Sequence, residues 1–426
     1  MHISTEYKTF ELDQPLRVGI LSDSQISPFS WKNNRMFERN LIRSLQCLKR
    51  QRCNVILFAG DICNIASFYA YFRFKRAFRL VFSDAMPVTQ FIMGNHDYFP
   101  AFTPRHQKRA MFTKHLGQSP YTHYVINGYH FIGCSPDCRK QRNGYSRVLQ
   151  WLEDELTAAT RDSGDRPVFV LTHNSATGTV YGSDRYGDLE LGKVLEKFPT
   201  VVNFAGHTHF PLLDERSIHQ EKFTSVNTQA TAYVELDKGL TNGPVPPNAH
   251  ISPMGYIMDF HDDAIELLRY NFGTGFEEKA NMRWSLPTHI CPSEFRYTDA
   301  RFDPQTATAE DYPVMPEPYG RSERIALRTY LLFSKGTDRD FVHHYKVEFS
   351  DGKIQYYASD FYKGLTNPDD EVCLPIYEKA AGVYDVEIRA VNSRGLESQS
   401  CTRIRNVRIS SYRHYPLVLA PDVKFL

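Results

Sequence analysis

Polar side chains that are typical ligands of divalent metal ions follow five short apolar runs of this chain. They are carboxylates, amides and imidazoles in the segments SDSQ, GD, GNHD, TH and GHTH, namely Asp23, Gln25, Asp61, Asn95, His96, His173, His207 and His209. Ions of the Mn, Fe and Zn class take these ligand types. A two-metal site for phosphoric ester chemistry needs about four protein ligands per ion and one shared carboxylate, with the ions roughly 3.5 to 4 Å apart. The side chains have about the number and chemistry that such a site requires.

The apolar runs before these side chains are predicted strands, and amphipathic segments between them are predicted helices. Strand and helix alternation builds a sheet with helices packed against it, and loops at the carboxyl ends of the strands meet at one edge. We therefore expect the five strand ends to form one site. Gly60, Gly94 and Gly206 each precede one of these side chains and predict sharp turns. His207 and His209 are two residues apart, so an extended segment would place both on one side.

The order of these segments resembles the calcineurin-like metallophosphoesterase superfamily. The resemblance rests on D-x-Q, GD, GNHD, a histidine at the end of a strand and GHTH, and it spans about residues 15–275. It implies a four-layer α/β/β/α catalytic domain and a metal-dependent phosphoric ester hydrolase. A metal-bridging hydroxide would attack phosphorus, because two cations lower the pKa of water.

The resemblance also implies a role for each residue. Asp23 and His209 would bind the first ion, Asn95, His173 and His207 the second ion, and Asp61 both. His96 would assist the leaving group as hydrogen-bond donor or general acid, and Asp97 would orient its ring. The ions would be Mn, Fe or Zn.

Gln25 departs from the family pattern, which usually has a histidine ligand here. A glutamine oxygen is a neutral, harder ligand than imidazole, so a weaker first site or a preference for Mn, Fe or Mg over zinc would follow. We expect Gln25 to bind the first ion, with a role behind the ligands or towards substrate as the alternative. A further alternative is a metal-binding scaffold or partner-binding protein without turnover, in which Gln25 marks a compromised first metal site.

Several neighbouring residues allow two interpretations. Tyr98 and Phe99 follow GNHD and would either stack on a substrate or pack in the core. Asn227 would bind substrate or support the site through its amide. Asn64 after GDIC is best interpreted as a turn former or helix N-cap. The basic helix FYAYFRFKRAFRL is more typical of a solvated face over an aromatic core than of a nucleic-acid surface.

Composition excludes several classes of protein. The 426 residues hold 50 Lys plus Arg against 49 Asp plus Glu, so the net charge of +1 gives no general attraction to nucleic acid or membranes. No run approaches the roughly 18 apolar residues of a membrane span, and the first residues lack a signal-peptide pattern, so we expect a cytoplasmic protein. Eight cysteines in this length predict buried free thiols, as at Cys47, Cys63 and Cys373, and Cys134 with Cys138 is a weak zinc candidate.

The length predicts more than one domain. We assign residues 1–300 to the catalytic domain and the Pro-rich, acidic residues 301–320 to a linker or edge strand. Period-two segments over 321–426 predict an all-β fibronectin or immunoglobulin-like sandwich. The substrate is predicted to be a small phosphoester. Diesters are slightly favoured over monoesters, on the expectation that basic segments lie beside the site and because the family that the chain resembles includes phosphodiesterases.

Overall fold

A computed structural model describes residues 3–28, 32–140, 142–273, 283–363 and 371–410. The chain divides into two compact units. The first comprises residues 1–238, 243–303 and 360–366, and the second comprises 239–242, 304–359 and 367–426. Residues 411–426 of the predicted C-terminal domain lie outside the described residues.

Twenty strands and six α-helices form in the described part of the chain. The strands are β1 Glu6–Phe10, β2 Arg17–Leu21, β3 Val55–Phe58, β4 Val88–Phe91, β5 Tyr121–Ile126, β6 Tyr129–Cys134, β7 Val168–Thr172, β8 Val201–Ala205, β9 Ile218–Gln220, β10 Thr224–Asn227, β11 Met254–Phe260, β12 Ala264–Asn271, β13 Arg283–Pro287, β14 Arg321–Ile325, β15 Arg328–Ser334, β16 Val342–Phe349, β17 Ile354–Ala358, β18 Glu371–Pro375, β19 Gly382–Asn392 and β20 Thr402–Ile409. The helices are α1 Lys32–Arg50, α2 Phe68–Val81, α3 Arg105–Leu116, α4 Leu149–Ser163, α5 Ser183–Tyr186 and α6 Leu191–Leu195.

The first unit contains two sheets that face each other. One has the order β13-β12-β11-β2-β3-β4, with β2, β3 and β4 parallel, and the other has the order β1-β5-β6-β7-β8-β10-β9, with β6, β7 and β8 parallel. Alternate residues of each strand face opposite sides, so Leu57 of β3 packs between the sheets and Phe58 packs towards the helices.

Three hydrophobic clusters define the layers of this unit. Helices α1, α2 and α3 cover the outer face of the six-stranded sheet, and α4 and α6 cover the outer face of the seven-stranded sheet. The third cluster fills the space between the sheets. The predicted mixed α/β class is confirmed, and the layers run helix, sheet, sheet, helix.

Three local predictions concern a turn, a helix cap and a strand. Asn127 and Gly128 stand between two alternating runs and predict a hairpin, which joins β5 and β6; both residues have the positive φ, 47° and 75°, that a two-residue hairpin requires. The helix-cap alternative at Asn64 is wrong, because α2 begins at Phe68 and the hydroxyl of Ser67 accepts from Ala70 N, whereas the turn alternative fits the bend at residues 64 and 65. The alternating run FTSVNTQATAYVEL, residues 223–236, predicts a strand, but the chain leaves the sheet after Asn227 and residues 228–237 are a loop.

The second unit is an all-β region of two antiparallel sheets, which have the orders β14-β15-β18 and β17-β16-β19-β20. One cluster of buried side chains from both sheets forms its core. The all-β character that the period-two pattern predicts is therefore confirmed.

Five of the eight cysteines are buried as free thiols, among them Cys47, Cys63, Cys134 and Cys138. The prediction fails at Cys373, whose side chain lies on the outward face of β18 and is exposed. Within the described ranges, no helix combines the length and apolar character needed to cross a lipid bilayer.

Candidate metal centre

The eight predicted side chains meet at the carboxyl ends of the parallel strands of both facing sheets. Asp23, Asp61 and Asn95 follow β2, β3 and β4, while His173 and His207 follow β7 and β8. All five are buried, at 9% exposure or less. The two sheets therefore bring together residues that are up to 184 positions apart in the chain.

The carboxylate of Asp61 is the hub of these contacts. Its Oδ1 lies 3.3 Å from Nε2 of His173 and accepts from the backbone N–H of His96 at 2.8 Å. Its Oδ2 accepts from the Nε2 amide group of Gln25 at 2.8 Å. Ligand atoms of Asp61, His173 and His207 lie within 4.8 Å of one another. Asp61 thus has one oxygen towards the histidines and the other towards Gln25.

A second pair is formed by Asp23 and His209, with 3.2 Å between Oδ1 and Nε2. The backbone N–H of His207 donates to the other oxygen of Asp23 at 3.1 Å. The GHTH loop therefore serves both halves of the centre, since the ring of His207 lies against that of His173 with 4.9 Å between centroids.

Backbone carbonyls orient two of the imidazole rings. Nδ1 of His173 lies 2.9 Å from Ala59 O, and Nδ1 of His209 lies 3.1 Å from Tyr233 O. A carbonyl only accepts, so Nδ1 carries the proton in both rings and a neutral ring has a lone pair on Nε2. Both lone pairs then face carboxylate oxygens, and only a proton or a cation between the atoms makes such a contact favourable. Metal-binding histidines have this arrangement, with one nitrogen on the ion and the other on a carbonyl.

Within the described residues, Nε2 of His207 is buried without a hydrogen-bond partner, and Oδ1 of Asp23 accepts no hydrogen bond although Nε2 of His209 lies 3.2 Å away. Leaving a buried polar atom unpaired costs about 1 to 3 kcal/mol. A divalent ion that accepts nitrogen and oxygen ligands would satisfy both atoms. The residues present therefore fit divalent metal ions.

The pKa values of the side chains in the centre are shifted by burial and by their charged neighbours. Burial alone would lower the pKa of His173, but the Asp61 carboxylate outweighs it and raises the pKa to about 9. Burial also opposes the charged form of His209, yet Asp23 raises its pKa. The pKa of His207 falls well below its ordinary value because of burial and the nearby His173. Burial would raise the pKa of Asp61, but the surrounding histidines lower it.

Backbone conformation at the centre departs from the sequence prediction. Asp23, Gln25 and Asp61 have φ of 50°, and His207 and His209 have φ of 68° and 57°. The expectation that His207 and His209 lie on an extended segment is wrong, because left-handed residues turn the GHTH loop. Such a residue costs on the order of 1 kcal/mol and persists only where the surroundings enforce it.

The glycines have two different roles. Gly60 has φ of 86° and makes the turn that the sequence predicts. Gly94 and Gly206 have ordinary φ values, and a Cβ there would lie 2.2 Å from Oδ1 of Asp61 and 2.4 Å from Oδ2 of Asp23. These two glycines are needed for close approach of the backbone to the carboxylates rather than for turning.

The predicted role of Asp97 is wrong. Its buried carboxylate accepts from the backbone N–H groups of Ile62, Cys63 and Gly94 at 2.9 to 3.2 Å, and it makes no contact with the ring of His96. Burial and the nearby Asp61 raise its pKa to about 7. Asp97 thus ties the ends of β3 and β4 together, because the N–H groups there need an acceptor.

The ring of His96 is held by a carbonyl instead, with 3.1 Å between Nδ1 and Asn64 O. His96 is half-buried, unlike the predicted ligands around it. Asn64 is therefore part of the site through its backbone, which its side-chain type could not reveal.

The three candidate substrate-binding residues, Tyr98, Phe99 and Asn227, fall into two groups. Tyr98 is buried, and its hydroxyl donates to Pro136 O, so it packs in the core. Asn227 is fully buried, donates to Phe210 O and accepts from the Thr208 hydroxyl, so it supports the GHTH loop rather than contacting a substrate. Phe99 is half-buried with its ring centroid 5.4 Å from that of His96, so it borders the site.

Three residues near the centre were missed in the sequence. The ring of Tyr233 lies 4.4 Å from that of His209, and the ring of Tyr186 lies 5.6 Å from that of His207. The hydroxyl of Tyr186 donates to Glu235 at 2.9 Å. Tyr233 and Glu235 belong to the run interpreted as a strand, so no motif marked them.

Comparisons with known proteins give one family match and solved structures of low similarity. Residues 16–211 match the family model of the calcineurin-like phosphoesterases. No curated protein matches the sequence. Among solved structures, a dimetal phosphatase from Danio rerio has 12% identity, a TM-score of 0.45, and coverage of 65% of this chain and 99% of its own. A purple acid phosphatase from yellow lupin (Lupinus luteus) seeds has 12% identity, a TM-score of 0.43, and coverage of 65% and 54%. The family match supports a phosphoric ester hydrolase.

Proposed function

We propose that the calcineurin-like phosphoesterase domain of this chain hydrolyses phosphoric esters with two divalent ions. The observation that carries the proposal is the buried Asp61 carboxylate, whose Oδ1 lies 3.3 Å from Nε2 of His173 and which offers a ligand atom within 4.8 Å of those of His173 and His207. The first ion would be held by Asp23 and His209, and the second by Asn95, His173 and His207, with Asp61 between them. When bound, the ions would supply Lewis acidity to the phosphate and a nucleophile derived from water near neutral pH.

The protein's own groups supply orientation and proton transfer. The Asn64 carbonyl accepts from Nδ1 of His96, so Nε2 can donate a proton or hydrogen bond to the leaving oxygen when the ring carries a proton on both nitrogens. Asp97 supports this arrangement at a distance, because it fixes the backbone of Gly94 and Cys63 on either side of the ligands.

Two roles are open to Gln25. Its amide N–H donates to Oδ2 of Asp61, which favours a residue that positions the shared carboxylate. Rotation of the same amide would present its oxygen as a ligand of the first ion. The two roles differ in whether the first metal site weakens when the amide oxygen is removed.

Three further parts of the proposal concern the metal, the type of ester and the second unit. Manganese and a preference for diesters are proposed from the ligand types and from the basic residues beside His96. A fibronectin type III topology for the second unit is proposed from its strand orders, β14-β15-β18 and β17-β16-β19-β20.

The test is metal-dependent turnover by the purified chain. After removal of metals and reloading with Mn²⁺, hydrolysis of bis-p-nitrophenyl phosphate and p-nitrophenyl phosphate is measured. We expect turnover that Asp61→Ala and Asn95→Ala each reduce at least 10³-fold, on the order of 4 kcal/mol of transition-state stabilisation. Asp84→Ala is the matched control, because that carboxylate is exposed and forms a surface ion pair with Lys49. Absence of Mn²⁺-dependent turnover of both compounds would overturn the proposal in favour of a metal-binding scaffold.

A further inference from the structure

The segment that follows GNHD is strongly basic. Residues 105–147 contain eight lysines and arginines and a single carboxylate, that of Asp137. The Asp137 side chain is 5% exposed and pairs with Arg105 at 2.9 Å, with Arg109 at 3.1 Å and with Arg147 at 3.8 Å. The segment therefore holds more cations than its one carboxylate can neutralise.

Arg139 lies over an aromatic ring that is next to His96. Its guanidinium carbon lies 5.5 Å from the ring centroid of Phe99, whose ring in turn lies 5.4 Å from that of His96. Arg139 is exposed and has no ion pair or hydrogen bond within the described ranges. An arginine that stacks on an aromatic ring keeps its N–H edge free for a phosphate or carboxylate. The Phe99 ring thus lies between His96, the proposed acid, and the guanidinium of Arg139, which has no ion pair among the described residues.

The backbone of Phe99 is held by three hydrogen bonds. Its N–H donates to His96 O at 3.0 Å, and its carbonyl accepts from Ala66 N at 3.1 Å and from the buried Lys108 ammonium at 2.7 Å. Lys108 is 1% exposed and also donates to Ala66 O. These hydrogen bonds fix the backbone of Phe99 close to His96 and so limit how far the Phe99 ring can move.

We propose that Phe99 and Arg139 form a leaving-group subsite that selects phosphoric esters and anhydrides whose leaving group carries a second phosphate. The inference rests on the proposed function, in which His96 acts at the leaving oxygen. Water attacks phosphorus, the bond from phosphorus to the leaving oxygen breaks, and that oxygen takes a proton from His96. Arg139 binds the other phosphate of the departing group, and this contact persists through the transition state.

The experiment compares substrates that differ only in the leaving group. With the Mn²⁺-loaded full chain, kcat/KM is measured for ADP against AMP, in which the leaving groups are AMP and adenosine. The dinucleotide with a 5′,5′ pyrophosphate link is compared with the dinucleoside monophosphate in the same way. We expect kcat/KM to be about tenfold or more higher for the substrate with the phosphorylated leaving group in at least one pair. Arg139→Ala should remove most of this difference. Arg139→Lys should restore part of it.

Two matched controls exclude general effects of charge and apolar surface. Arg142 belongs to the same segment, is exposed and contacts no aromatic ring in the described part of the chain. Phe102 is a phenylalanine three residues after Phe99 and is 87% exposed. Arg142→Ala and Phe102→Ala should leave the ratio at the wild-type value. A wild-type ratio near one in both pairs, or a ratio that Arg139→Ala leaves intact, would overturn the subsite. Loss of all Mn²⁺-dependent turnover, including that of bis-p-nitrophenyl phosphate, would instead overturn the proposed function, and the subsite with it.

Discussion

A single added methyl group at Gly94 tests whether the site depends on the close approach of two strand ends. An alanine Cβ there would lie 2.2 Å from Oδ1 of Asp61 and 2.7 Å from Cε1 of His173. Ordinary carbon contacts need about 3.5 Å, so these groups must move apart by about 1 Å. None of these groups has room to yield, because Asp61 and His173 are buried and hydrogen-bonded.

We expect Gly94→Ala to lower kcat/KM for bis-p-nitrophenyl phosphate on the order of 10²-fold, since displacement of reacting groups by about 1 Å has effects of this size. The free energy of unfolding should fall by about 1 to 3 kcal/mol, as for other overpacked sites. Metal content after dialysis should fall as well, because Asp61 is the proposed shared ligand. The assay measures turnover, bound metal and thermal unfolding on the same preparation.

Gly192→Ala is the matched control. A Cβ at position 192 would have its nearest neighbours at 3.6 Å, which is ordinary contact, so turnover, metal content and stability should remain at wild-type values or better. A Gly94→Ala enzyme with kcat/KM within twofold of the wild type would refute the reasoning, since it would mean that the Asp61 carboxylate need not stay where the structure has it.

Three further predictions concern single side chains. Gln25→His should shift metal preference towards zinc in a Mn²⁺ and Zn²⁺ competition followed by metal analysis, and an unchanged preference would exclude Gln25 from the ligands of the first ion. The Glu155 carboxyl has a lowered pKa, because hydrogen bonds from His123 and Tyr7 outweigh burial; its contribution to stability is present above the ordinary value of 4.5 and is lost as the pH falls below it. Glu155→Gln should therefore flatten the dependence of Tm on pH below 4.5, and an unchanged slope would contradict this. Lys108→Met should lower the free energy of unfolding by about 1 to 3 kcal/mol in urea titrations, because Ala66 O and Phe99 O each lose the ammonium as a donor, although Phe99 O keeps the N–H of Ala66; equal stability would show that water replaces the ammonium.

The sequence predicted the parts of the site that depend on strand periodicity. Asp23, Asp61 and His173 could be located because each follows an apolar run, and parallel strands bring such ends to one edge. The hairpin at Asn127 and Gly128 was predictable for a local reason, since few residue pairs accept two positive φ angles.

Other parts of the site could not be predicted because they depend on long-range backbone contacts. The carbonyls of Ala59 and Tyr233 orient two histidines, but a carbonyl is present at every residue and leaves no pattern in a sequence. Adjacency in the chain predicts that Asp97 contacts His96, whereas the N–H groups that donate to its carboxylate are those of Ile62, Cys63 and Gly94, beyond the ends of β3 and β4. Tyr233 was interpreted as part of a strand because its neighbours alternate, although the chain leaves the sheet six residues earlier.

The five left-handed residues at the centre have a consequence for how the protein tolerates change. At Asp23, Gln25, Asp61, His207 and His209 the backbone adopts a conformation that glycine would adopt at lower cost. Random mutagenesis selected only for thermostability should therefore enrich glycine or asparagine at these positions, and each such gain would remove a proposed ligand. Substitutions at these positions should thus raise stability and lower activity, so a screen for a more thermostable enzyme must leave these five residues unchanged.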